Sequence, residues 1–173
     1  MAILSNVEIE SLIKSGKISI NPYVPGNVQG ATIDLRLKNQ FLIPDPYTKP
    51  NKMGFITLEG ELEYKSISSE YVDILPHHFI LGTTLESIAF TADLAARVDG
   101  KSKIGRRGLY IQNAGHIGPG FNGEITLELY NANQMPIRLK YGQKICQIEF
   151  HELTSESTKS YSGKYLGQKG PKV

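Results

Sequence analysis

A carboxylate on a strand and a set of cations beside glycines are what this chain offers for chemistry. In Gly123 to Tyr130, alternation puts Ile125, Leu127 and Leu129 on one face and Glu124, Thr126, Glu128 and Tyr130 on the other. Left in solvent, Glu128 is an ordinary strand glutamate. In a desolvated pocket its pKa rises toward working pH and it can carry protons as a general base and acid. Upstream, Gly100-Lys101-Ser102-Lys103-Ile104-Gly105-Arg106 has two glycines five apart among cations and a hydroxyl. A Walker A loop needs Lys and then Ser or Thr after the second glycine, and both are missing.

Other routes fail more plainly. No Gly-x-Gly-x-x-Gly links a strand to a helix, so a dinucleotide fold has no support. Zinc-dependent base deaminases need a His-x-Glu pair and a Pro-Cys-x-x-Cys pair. Here Cys146 is the only cysteine, no His-x-Glu occurs, and His77, His78, His116 and His151 are scattered, so no metal ligand is assigned and no zinc is expected. The lone cysteine also excludes an intrachain disulfide and fits a reducing, cytoplasmic setting. With 19 Lys and Arg against 17 Asp and Glu, the formal charge of +2 gives no global pull toward nucleic acid or membrane. Met1 to Ser11 has no leader pattern, and no apolar run is long enough to span a bilayer.

The elements that must position these groups are mostly strands. Ser5-Asn6-Val7-Glu8 matches a capping box, and Ile9, Leu12 and Ile13 recur at helical spacing before Gly16, which predicts one short N-terminal helix. Beyond it, short apolar or alternating runs predict strands at Thr32 to Leu37, Gln40 to Ile43, Phe79 to Thr84 and Glu86 to Phe90. Others follow at Ala95 to Val98, Gly123 to Tyr130, Ile137 to Leu139 and Lys144 to Glu152. The class is all-β: a sandwich, jelly roll or barrel. Pro44 to Ser69 reads as a long connection with a hairpin near Gly60 and no chemistry. Residues 154 to 173 are polar and rich in Gly, Ser and Lys, a frayed tail by composition alone. No repeat or linker divides the 173 residues, so one domain is expected.

Several segments together are specific. Gly100 to Leu109, Gln112-Asn113-Ala114-Gly115-His116-Ile117-Gly118-Pro119-Gly120-Phe121-Asn122-Gly123 and Ile125-Thr126-Leu127-Glu128-Leu129 resemble the dCTP deaminase pattern of the trimeric dUTPase-like superfamily in order and spacing. Thr32 to Leu37, Leu81 to Glu86 and Gly163 to Gly170 extend the resemblance over nearly the whole chain, and the pattern is closest to bifunctional members. The resemblance implies a distorted jelly roll (a dUTPase-like β-clip) with a short N-terminal helix, assembled as a homotrimer with sites at subunit boundaries. It also turns residues 154–173 into a lid over the triphosphate, with Lys169 to Val173 expected to stay mobile.

The same resemblance assigns roles. Glu128 becomes the general base and acid of a zinc-free deamination, Ser102 and the carbonyl of Ala114 hold the attacking water, and Arg106 steadies the glutamate. Lys101, Ser102, Lys103, Tyr161, Lys164 and Gln168 meet the phosphates, and Ile117 and Gln147 complete the substrate-binding set. The substrate is dCTP carrying Mg²⁺ on its phosphates, with dUTP a further ligand and dTTP a candidate inhibitor. Lys101, Lys103 and Gly118 depart from the family pattern, which has Arg, Ser and Asp there. Because Gly118 can neither contact the sugar nor position a water, the reading is that dUTP is released, with His116 or Gln147 replacing the sugar contact. The alternatives are a bifunctional enzyme giving dUMP and pyrophosphate, or an altered nucleotide-binding regulator.

Overall fold

The computed structural model describes residues 2–45, 59, 62–112 and 115–173. Helix α1 spans Asn6–Lys14 and is capped as the sequence predicts. The Ser5 N–H donates to the Glu8 carboxylate at 2.8 Å, and the Glu8 N–H donates back to Ser5 Oγ. Gly16, at φ +79°, then takes the left-handed conformation that lets the chain leave the helix.

The rest is built of twelve strands among the described residues, joined by a 3-10 turn at Pro25–Asn27 and a one-turn helix α2, Ser102–Gly105. They are β1 (Ile18–Asn21), β2 (Ile33–Arg36), β3 (Gln40–Pro44), β4 (Tyr64–Ser68), β5 (Tyr71–Ile74) and β6 (Phe79–Phe90). Then come β7 (Leu94–Gly100), β8 (Leu109–Gln112), β9 (His116–Ile117), β10 (Asn122–Asn131), β11 (Ile137–Lys140) and β12 (Lys144–Glu152). The larger sheet runs β4-β3-β6-β10-β8, with β1 also on β6. A second runs β2-β12-β7-β9, and β5 pairs with β11. The chain is mostly β, as expected.

Two sequence expectations are corrected here. The runs Phe79 to Thr84 and Glu86 to Phe90 form one continuous strand, because Thr84 at their junction is buried and bonded: its hydroxyl donates to the Glu86 carbonyl and accepts from the Ile125 N–H. This stitches β6 to β10 where their register shifts, between Glu124 and Thr126. Within Pro44 to Ser69, Tyr64–Ser68 is a strand rather than connection, pairing with β3 from Gln40↔Ser68 to Pro44↔Tyr64. The expected hairpin at Gly60 lies outside the described residues.

Alternation sends Leu127 and Leu129 of β10 into one core with Phe41, Leu35, Val98, Ile148 and Phe150, so the two main sheets share their apolar interior. Each such side chain contributes roughly 1.5–3 kcal/mol by leaving water. A polar tie reinforces the join: the buried Glu86 carboxylate of β6 accepts from the Arg36 backbone N–H of β2 at 2.8 Å and from its Nε at 2.6 Å. Within the second sheet, Asp34 of β2 pairs with Lys101 and Lys144. No helix among the described residues is long and apolar enough to cross a membrane.

Candidate active site

The shared core leaves the polar face of β10 turned toward a cleft of about 450 Å³. Its floor follows from strand register. Glu128 stands opposite Leu81 on one side and Gln112 on the other, and Tyr130 stands opposite Phe79. Tyr64 of β4 closes one wall, while Val98 of β7 and Ile117 of β9 close another. Glu128 is half-buried among these apolar side chains, and burial pushes its carboxyl above the ordinary value. Burial also raises the Tyr64 phenol, and the negative charge of Glu128 adds to that rise. A half-dry carboxylate between an aliphatic and an aromatic wall is suited to taking a proton from water and passing it on.

Residues 161–172 fold back as the roof. The Tyr161 N–H donates to the Pro119 carbonyl at 2.7 Å, and its ring meets Phe121 edge-on with centroids 5.5 Å apart. A Cβ on Gly118 would sit 3.4 Å from one side of that ring, and a Cβ on Gly163 would sit 2.8 Å from the phenol oxygen, so Tyr161 occupies space that two glycines leave. The Gly167 N–H donates to the Asn122 carbonyl at 2.7 Å, and the Glu124 N–H donates to the Gln168 carbonyl at 2.9 Å. Lys164 carries its ammonium 5.0 Å above the Tyr165 ring, an apolar rest that leaves the charge available to an anion in the cleft.

The tail end differs from the sequence expectation. Lys169 to Val173 is not a loose end: Gly170 is buried and donates its N–H to Glu124, the Lys172 N–H donates to Thr126 Oγ1 at 3.2 Å, and Val173 lines the cleft. The signal was hidden because the acceptors belong to β10, some 45 residues upstream.

Of the residues singled out from sequence, Glu128, Ile117, Tyr161, Lys164 and Gln168 line this cleft together. Gln168 does so with its side-chain amide donating to Thr126 Oγ1 at 2.6 Å and to the Gly170 carbonyl at 3.1 Å. Ser102, Lys103 and Arg106 are exposed on or beside α2 and do not line it, nor does Gln147 in the middle of β12. Lys101 is turned inward to Asp34. Ala114 lies outside the described residues. Sequence reasoning missed Tyr64, Phe79, Leu81 and Lys172. Cross-strand pairing with Tyr130 and Glu128 brings Phe79 and Leu81 to the site, and Tyr64 reaches it through β3, which pairs with β4 on one side and β6 on the other.

A dCTP deaminase-like family model matches residues 3–153. The chain belongs to the dCTP deaminase-like family. Among its relatives, a protein of Aquifex aeolicus named "dCTP deaminase, dUMP-forming" is 45% identical over 172 residues, spanning 97% of this chain and 91% of that one. A protein of the same name from Methanosphaera stadtmanae is 39% identical over 185 residues, covering 100% and 93%. The crystal structure of a 2'-deoxycytidine 5'-triphosphate deaminase from Agrobacterium tumefaciens superposes with a TM-score of 0.64 at 24% identity, covering 86% of this chain and 47% of that one. It establishes likeness of fold, over about half the length of that protein.

These names correct one expectation. The sequence expectation that the reaction stops at dUTP runs against the relatives just described, whose names carry the words "dUMP-forming". Gly118 forms part of a cleft wall whose space is filled by the Tyr161 ring.

Proposed function

We propose that this dCTP deaminase-like protein converts dCTP, two waters in all, into dUMP, ammonia and pyrophosphate. Water adds across the C4–N3 double bond of the cytosine ring, Glu128 taking its proton and delivering it to N3. The carboxylate then carries the proton of the new C4 hydroxyl to the amino group, which leaves as ammonia as the C4 carbonyl of dUTP forms. A second water attacks the α-phosphorus and pyrophosphate departs. The observation that carries the deamination is the half-buried Glu128 facing an apolar-walled cleft roofed by Lys164. The second step rests on the names of the relatives.

The substrate would enter as its Mg²⁺ complex, the metal lowering the charge that Lys164 and the lid must meet. Residues 1–173 act as one domain with 154–173 as the lid, in a distorted jelly roll that forms a homotrimer. Ser102 and Arg106 do not line the cleft of their own chain, which supports a site completed by a neighbouring subunit. There Ser102 and the Ala114 carbonyl hold the water and Arg106 orients the glutamate.

The test is incubation of the purified protein with dCTP and Mg²⁺, assaying ammonia while separating dUTP, dUMP and pyrophosphate. Ammonia with dUMP and pyrophosphate supports the whole sequence. Ammonia with dUTP alone removes the second step, and absence of ammonia removes the first.

A further inference from the structure

Glu124 is a cleft carboxylate that the chemistry above does not use. It is 8% exposed, lies at the register shift of β10, and binds two parts of the chain distant from it in sequence. Oε1 accepts from Lys38 Nζ at 2.6 Å, just after β2. Oε2 accepts from the Gly170 N–H at 2.7 Å in the tail. A buried carboxylate requires such partners, and an ion pair with a hydrogen-bonded second oxygen provides them.

The tail side is shaped to reach it. Gly170 has φ +72°, and a Cβ there would come within 3.0 Å of Gln40 Oε1, so glycine is what brings this amide to the carboxylate. Gln168 closes the hook from the other side through Thr126 and the Gly170 carbonyl. Lys172 Nζ then donates to the Lys164 carbonyl at 2.6 Å, tying the hook to the segment that bears the roof cation.

We infer that Glu124 is a positioning residue: paired with Lys38, it latches the C-terminal segment at Gly170 and thereby holds Lys164 and Tyr165 over the cleft. The kinetic part of this inference rests on the cleft being the dCTP site. Opening the latch leaves Glu128 and its register untouched, so it weakens substrate binding more than turnover.

The experiment measures amide hydrogen exchange and ammonia-release kinetics on the full chain as wild type, Glu124→Ala, Glu124→Gln and Lys38→Met. In Glu124→Ala, amides of Gly167, Gln168, Gly170 and Lys172 exchange faster by about tenfold or more while β12 is unchanged. KM for dCTP rises about tenfold with kcat within about twofold. Lys38→Met accelerates the same amides. Glu124→Gln, which keeps an acceptor for Gly170, restores part of the protection. Unchanged tail exchange in both Glu124→Ala and Lys38→Met overturns the latch. So does faster exchange spread through β12, which would make Glu124 a general stabiliser. Exchange is read without nucleotide, so a wild type that releases no ammonia defeats the functional reading while the latch stands or falls on exchange.

Discussion

Leu81 stands directly opposite Glu128 across the β6–β10 ladder and is itself buried. The glutamate therefore leaves the sheet beside an aliphatic side chain, and loss of water is what raises its carboxyl pKa.

Replacing Glu128 by Gln keeps the shape and removes the proton carrier. Ammonia release should fall by about 10²–10⁴ or more, with dCTP affinity retained when measured by calorimetry. Loss of binding in step with turnover would assign Glu128 to substrate contact instead.

The raised carboxyl also has a stability consequence. Its folded pKa lies above the unfolded one, so the group favours folding when protonated, and that contribution is lost as pH rises through the folded value. Glu128→Gln should melt higher than wild type at pH 7 to 8, and the gap should close as pH falls below the folded pKa. Ammonia release, which needs the ionised base, should decline over the same range, with its acid limb above the ordinary 4.5.

Gly118 and Gly163 flank the same tyrosine but should respond differently. A Cβ at Gly118 meets the Tyr161 ring at 3.4 Å, ordinary contact, whereas one at Gly163 meets the phenol oxygen at 2.8 Å. Gly118→Ala should fold and bind dCTP much as wild type does. Gly163→Ala should displace Tyr161 at a cost of about 1–3 kcal/mol in lid docking, read as a higher KM.

Asn131 ends β10 fully buried, its amide donating to the carbonyls of Ile74 and Met135 and its oxygen accepting from the Asn133 N–H. Asn131→Ala strands three backbone groups, and urea unfolding should show a loss of about 2–4 kcal/mol.

Cys146 is fully buried, and burial pushes its thiol far up, with Glu86 and Asp34 adding to the effect. The native protein should resist thiol reagents and be labelled only on unfolding, which mass spectrometry reads directly.

Much of this was legible in order along the chain. Ser5 and Glu8 specify their helix because a cap is closed within four residues, and Leu127 and Leu129 specify the buried face of β10 because side chains alternate along a strand. Tyr64 was illegible because it sits beside a turn-rich stretch and reaches the cleft through β3 and β6, whose pairing is set by contacts far apart in sequence. The tail misled for the same reason: Gly170 has no local partner and finds Glu124 only after β10 is in place.

The sequence by itself determined the helix and its cap, most of the strands, the alternation that exposes Glu128 on one face of β10, and the family. Those properties depend on neighbours within a few residues or on a pattern of types. Tertiary structure alone decided that Leu81 and Tyr64 dry Glu128, that Lys101 turns to Asp34, and that the polar tail is a docked roof. Each of these is an electrostatic or packing relation between strands, and its strength depends on distance and burial that exist only once the sheets have closed.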